Sequence, residues 1–396
     1  MKTRANTYWF FLLCPLCFVL LLASCQKQDP TEQKIDRLLA KMTLDEKIGQ
    51  MTQVCGGWYS EDLENQVRNG AGSMLNSVGA EANHYQRIAV EETRLGIPMV
   101  FGRDIIHGFR TIFPIPLGQA ATFDPALVED AARLTAQEAV QAGLRWTFSP
   151  MVDVARDPRW GRIAEGYGED TYLTSVMGAA CVRGYQYPAS NSASALTSNS
   201  ASGLTSNSEL SERSNILLAA CVKHFAGYGA SEGGRDYNTT WIPEVQLREV
   251  YLPPFKAAID AGSATIMCAF NDLNGVPASA NRHLNVDILR NEWGYNGMLV
   301  SDWASSANMI AHGNCADLKE ATLLSINAQM EMDMEGHGYP RYLKDLLAEG
   351  KITEKQIDAC VRDILRLKFR LGLFDNPYCA IDSAEFFTPE ALAAAQ

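Results

Sequence analysis

The chain has 396 residues, 47% hydrophobic and 20% charged, with 34 basic against 46 acidic side chains and a formal net charge of −12. That length buries a sizeable core and holds one large domain or two ordinary ones, and the composition excludes a disordered chain. The acidic excess argues against nucleic acid or anionic lipid as a general partner and suits a neutral or weakly charged ligand.

Lys2 and Arg4 precede an apolar run from Tyr8 to Leu22, which ends in Leu22-Ala-Ser-Cys25. A basic start, an apolar stretch and small residues read as a secretory signal over residues 1–25, and the run is short for a bilayer span. The ending resembles a bacterial lipobox. That resemblance implies lipidation of Cys25, contact with the membrane through the anchor alone, and a lipoprotein on the periplasmic or outer-membrane face. Residues 26–32 then form a polar tether.

From Lys34 to Met51 apolar residues recur every three or four positions, which predicts a helix. Beyond it, short apolar runs alternate with amphipathic stretches. The strand candidates are Met51–Cys55, Gly72–Leu75, Pro98–Gly102, Trp146–Pro150, Ala220–Phe225, Ala264–Phe270, Gly297–Asp302 and Gln329–Asp333. Helical patterns over Pro125–Ala142, Val245–Ala261, Asn285–Glu292 and Asp317–Asn327 lie between them. Such interspersion implies parallel strands with crossover helices, and eight units in a chain of this length match an α/β fold of the (β/α)8, TIM-barrel-like class.

Residues 189–210 break this rhythm. They are almost all Ser, Ala, Asn, Thr, Leu and Gly, with an internal near-repeat, and read as a low-complexity surface insert. Two helices, Tyr339–Ala348 and Glu354–Arg370, precede a helix stop at Gly372, and a last helical fragment covers Pro389–Ala395. Cys14, Cys17 and Cys25 fall in the signal. The other seven cysteines are odd in number and widely spaced, so neither a disulfide framework nor a zinc site is expected.

The polar residues with chemical potential follow predicted strands. Asp104 follows the third. Asp153, Arg156, Asp157 and Arg162 follow the fourth and read either as a salt-bridge network or as part of a site. Lys223 and His224 end the fifth, Met267 lies in the sixth, and Asp302-Trp303 ends the seventh. Asp302 and Asp104 also read as helix N-caps, since Asp accepts from free backbone N–H groups. Convergence is the stronger reading: five strand ends supply polar groups to one edge, and in such a barrel that edge is a single bowl. The chain has no Gly-x-Ser-x-Gly elbow, P-loop, dinucleotide fingerprint or paired-His zinc helix, so no metal or cofactor is expected. Carboxylates, a Lys-His pair and aromatic faces suit a polyhydroxylated ligand, and an ionised Asp can attack an anomeric carbon.

The segments Gly102–Gly108, Asp157–Asp170, Lys223–Asn238 and Ser301–Trp303 resemble glycoside hydrolase family 3, and within it the β-glucosidase branch. The resemblance runs from about Asp36 to Tyr378. It implies hydrolysis of terminal non-reducing β-D-glucosyl residues from a β-glucoside or oligosaccharide, through a retaining mechanism with Asp302 as nucleophile. Asp104, Arg162, Lys223 and His224 match the residues that hold the sugar, and Met267 and Trp303 match its walls. Many members have Tyr where this chain has Phe270. The loop Gly234–Asn238 lacks the His of the N-acetylglucosaminidase branch. Glucosidase-type relatives continue into an α/β sandwich domain that carries the general acid. The expected organisation is thus a barrel over residues 33–378, with 379–396 beginning a linker to a domain not in this sequence. Turnover is expected to be impaired, with the second domain supplied in trans as one remedy. A sugar-binding barrel of little or no activity is the alternative.

Overall fold

The structure, a computed structural model, describes residues 29–57, 61–187, 216–380 and 386–396. The expected signal with Cys25 and the insert at 189–210 lie outside these residues. Among the described residues no helix is long and apolar enough to cross a membrane.

Eight short strands form one parallel sheet: β1 Thr52–Cys55, β2 Ser73–Leu75, β3 Val100–Arg103, β4 Trp146–Thr147, β5 Ala219–Phe225, β6 Thr265–Cys268, β9 Met298–Val300 and β10 Asp333–Met334. Their order is β10-β1-β2-β3-β4-β5-β6-β9. A parallel bridge between Val300 and Met332 joins the two ends into a barrel. The runs Val54-Cys55, Met298–Val300 and Ala219–Val222 are apolar without alternation because both faces are covered, by side chains inside and helices outside. Inside, Trp146 fills space and its indole N–H donates to Thr265 Oγ1 at 2.8 Å. Gln53 Nε2 donates to Ser73 Oγ at 2.8 Å, and that hydroxyl donates to Val100 O.

The outer layer departs from expectation at three places. The helix predicted from Lys34 is two helices, α1 Pro30–Leu39 and α2 Leu44–Gln50. Thr43 and Glu46 form a capping box that starts α2 afresh. The expected tether ends earlier than residue 32: Asp29 caps α1, and Glu32 pairs with Arg362 and Arg366 on the late helix Glu354–Arg370. At the other end, the helix Pro389–Ala394 lies against Pro125–Gln141. Ala391 packs with Phe113 and Leu134, and Glu390 pairs with Arg133 at 2.9 Å.

Between β6 and β9 a two-stranded hairpin, β7 Asp272–Leu273 and β8 Val276–Pro277, interrupts the alternation. The last barrel strand is also shorter and later than the predicted Gln329–Asp333. The stretch before it is occupied by the Glu331 carboxyl, which accepts the backbone N–H of Leu299 and pairs with Arg290 at 2.6 Å.

Candidate active site

Five consecutive strands around the ring, β3, β4, β5, β6 and β9, bring their carboxyl ends to one sector of the rim. Asp104 follows β3 directly. Arg162 sits in a short 3-10 turn, Gly161–Glu165, in the loop after β4. Met267 lies near the end of β6 in register with Val300, two positions before Asp302. Lys223 and His224 are neighbours on β5, and a regular strand would send them to opposite faces. The pairing register of β5 shifts between Val222 and Phe225, and both side chains reach the same site.

Lys223 is 3% exposed, and its Nζ donates to Asp104 Oδ1 at 2.7 Å. Burial opposes its charge, but the carboxylates of Asp104 and Asp302 outweigh that, and its pKa is raised. Asp104 is therefore a lysine partner. Asp302 does not cap a helix either. The short helix Ser305–Asn308 has Ala304 at its N-cap, while Asp302 Oδ1 accepts the N–H of Trp303 at 2.7 Å.

The second oxygen of Asp302 is the notable one. Asp302 is 8% exposed, and its Oδ2 is buried with no hydrogen-bond partner among the described residues. Burial pushes the carboxyl up to about 6, against the pull of Lys223, Arg162 and the Trp303 N–H. A buried acceptor left unsatisfied normally costs roughly 1–3 kcal/mol, so this oxygen has capacity for a further donor or for a ligand. The nearest basic group to it among the described residues is His224 Nε2, 3.4 Å away.

The expected salt-bridge network among Asp153, Arg156, Asp157 and Arg162 does not form. Asp157 pairs with Arg159, and Arg162 pairs with Glu165 through two bonds of 2.7 and 2.9 Å. Asp153 turns inward to His224, with Oδ2 2.7 Å from Nδ1 and accepting the His224 backbone N–H at 3.1 Å. That link joins positions 71 apart, and no local spacing announces it.

A second loop closes one side. Tyr228 packs edge-on against His224, with ring centroids 5.3 Å apart, and lies under the Arg162 guanidinium. Its hydroxyl and the Trp160 indole N–H both donate to Asp236 Oδ1. The loop can lie this close because Gly234 has φ +66°, and a Cβ there would meet the backbone N of Trp160 at 2.7 Å. Phe270 contacts Tyr237 edge-on at 4.7 Å and lies 6.4 Å from the His224 ring. Trp303 is half-buried and packs on the main core.

The predicted residues therefore meet: Asp104, Lys223, His224, Arg162 and Asp302 form one polar cluster, with Met267 on the neighbouring strand and Trp303 next to Asp302 in sequence. Residues 43–367 match the family described as the glycosyl hydrolase family 3 N terminal domain. The chain belongs to glycosyl hydrolase family 3. A periplasmic β-glucosidase of Salmonella typhimurium is 40% identical over 352 residues, covering 88% of this chain and 43% of that protein. A β-xylosidase of Formosa agariphila is 32% identical, over 89% of this chain and 44% of that one. The crystal structure of a Listeria innocua β-glucosidase in complex with glucose superposes with a TM-score of 0.82 at 38% identity, covering 92% of this chain and 50% of that one. The chain spans about half the length of the relatives it matches. The family's barrel and its rim are thus the part that this structure describes.

Proposed function

We propose that this rim binds a terminal β-D-glucosyl residue and cleaves its glycosidic bond with retention, with Asp302 as nucleophile. The unpartnered, buried Oδ2 of Asp302 beside Lys223, His224, Asp104 and Arg162 carries the reading. The Asp104 carboxylate and the Lys223 ammonium form a donor–acceptor pair that suits adjacent ring hydroxyls. Arg162 adds a second cation. Met267 and Trp303 offer apolar walls to the C–H face of the sugar.

In the first step Asp302 Oδ2 bonds to the anomeric carbon and the bond to the leaving oxygen breaks, with the leaving group taking a proton from water. In the second, water attacks the same carbon, gives up a proton, and frees the carboxylate. The carboxyls placed near Asp302 among the described residues each engage another side chain: Asp104 with Lys223, Glu165 with Arg162, Asp153 with His224, Asp236 with Tyr228. That arrangement favours leaving groups that depart without protonation, because a general acid contributes roughly 10²–10⁴-fold. A sugar-binding barrel of little activity is the second reading, favoured by the same occupied carboxyls.

The test is a comparison of β-glucosyl fluoride, an activated aryl β-glucoside and an alkyl β-glucoside, with the aryl β-xyloside as specificity control. The proposal expects fluoride and aryl glucoside to react far faster than alkyl glucoside, and glucoside faster than xyloside. Binding of glucose without cleavage of the fluoride would support the binding barrel instead.

For location we propose export with lipidation of Cys25, supported by the sequence ending at residues 22–25 and by the relative named as periplasmic. Cys25→Ala is expected to move the protein from the membrane fraction to the soluble one.

A further inference from the structure

Three buried polar atoms on and beside the ring find no hydrogen-bond partner among the described residues: Asp153 Oδ1, His224 Nε2 and Asp302 Oδ2. Asp153 and His224 are fully buried, and Phe270 and Tyr228 flank the ring. The Asp153 carboxyl is on the far side of the imidazole from Asp302, 2.7 Å from Nδ1, while Nε2 lies 3.4 Å from Asp302 Oδ2.

Neutral imidazole carries one N–H and one lone pair, and a single bond to a carboxylate normally places the N–H on the bonded nitrogen. Here that tautomer would point the Nε2 lone pair at the lone pairs of a buried carboxylate. Two facing acceptors in a low-dielectric pocket repel. The site is also short of positive charge. Among the described residues the acids Asp104, Asp153, Glu165, Asp236 and Asp302 lie in or around the site, against the cations Lys223 and Arg162, and the Tyr228 hydroxyl is already committed to Asp236. One further proton on the Asp153–His224 pair relieves both problems.

We propose that Asp153 is a positioning residue that turns His224 into a donor toward Asp302: carboxyl and ring share one proton between Oδ2 and Nδ1, so Nε2 keeps its own and presents it to Asp302 Oδ2. Burial acts in the same direction. It pushes the Asp153 carboxyl up to about 8 and the His224 ring well below its ordinary value, so that the shared proton rests on the carboxyl side. With N–H at Nε2, the ring stabilises the ionised form of Asp302, which is the form that attacks. The consequence for catalysis rests on the reading of Asp302 as nucleophile, but the tautomer itself does not.

The substitution Asp153→Asn isolates the device. The His224 backbone N–H requires an acceptor at the Oδ2 position, so the amide oxygen must occupy it. That oxygen then has no proton to share, Nδ1 must donate, and Nε2 is left bare. The experiment is ring-nitrogen NMR of 15N-histidine-labelled protein at neutral pH, with His224 assigned by its loss in His224→Gln. Wild type is expected to show a proton bonded to Nε2, and Asp153→Asn a proton on Nδ1 alone. In parallel, the acid limb of kcat/KM on β-glucosyl fluoride is expected to move up by about one to two pH units in Asp153→Asn, as Asp302 loses a donor to its charged form. A bare Nε2 in wild type overturns the proposal whether or not the variant folds or any glycoside is cleaved. An Asp153→Asn protein that retains Nε2–H and an unmoved acid limb overturns it equally.

Discussion

Replacing Asp302 by Asn should stabilise the protein, and the size follows from the site. The carboxyl is pushed from an ordinary 3.8 to about 6 because burial outweighs its cationic neighbours. Between those values the folded state holds a proton that the unfolded state has released, so stability falls as pH rises through the window and stays low above it. Two units at about 1.4 kcal/mol each place the penalty near 3 kcal/mol at pH 7.5. Asn keeps the acceptor for the Trp303 N–H and carries no charge, and its amide N–H meets the Nε2 lone pair once the His224 ring holds its proton on Nδ1. At a chain length like this one, each kcal/mol moves Tm by on the order of 2 °C. Thermal unfolding followed by circular dichroism should therefore show Asp302→Asn about 5 °C more stable than wild type at pH 7.5, with the gap nearly closed at pH 4. A gap absent at pH 7.5, or equal at both pH values, would refute the claim that the protein holds this carboxylate at a cost.

Lys368 gives an independent test away from the rim. It is fully buried, donates to Gln50 alone among the described residues, and burial lowers its amine to about 7. The unfolded state then binds the extra proton between pH 7 and 10, so stability should rise with pH there by up to about 1.4 kcal/mol per unit, and Lys368→Met should flatten that rise in thermal melts. Lys223→Met removes the partner of Asp104 and a cation beside Asp302, and should weaken glucose binding by at least tenfold in calorimetry while far-ultraviolet circular dichroism stays unchanged. Gly234→Ala drives a Cβ into the Trp160 backbone at a positive φ, so it should lower Tm by several degrees and weaken sugar binding together.

The barrel was legible because its strands are buried on both faces. Seven of the eight predicted runs contain all or nearly all of an observed strand, with β4, β6 and β9 shorter than predicted, and the eighth meets its strand only at Asp333. Two departures carried readable signals. Thr43-Leu-Asp-Glu46 is a capping-box sequence, and Asn274-Gly275 is a tight-turn pair, with both residues at positive φ between β7 and β8. The strand-end positions of Asp104, Lys223, His224 and Asp302 were legible for the same reason as the strands. Their mutual pairing was not, since it depends on the register shift in β5 and on side chains that meet across the ring. The inward turn of Asp153 is the clearest case: with Arg156 three positions on in sequence, it bonds instead to a histidine on the next strand.

The most direct measurement of the central claim is covalent labelling with 2-deoxy-2-fluoro-β-D-glucosyl fluoride, whose leaving group needs no proton. Digestion and mass spectrometry should find one glycosyl unit, carried on Asp302 and lost in Asp302→Asn. A label on any other residue, or none on protein shown by calorimetry to bind glucose, would contradict the account.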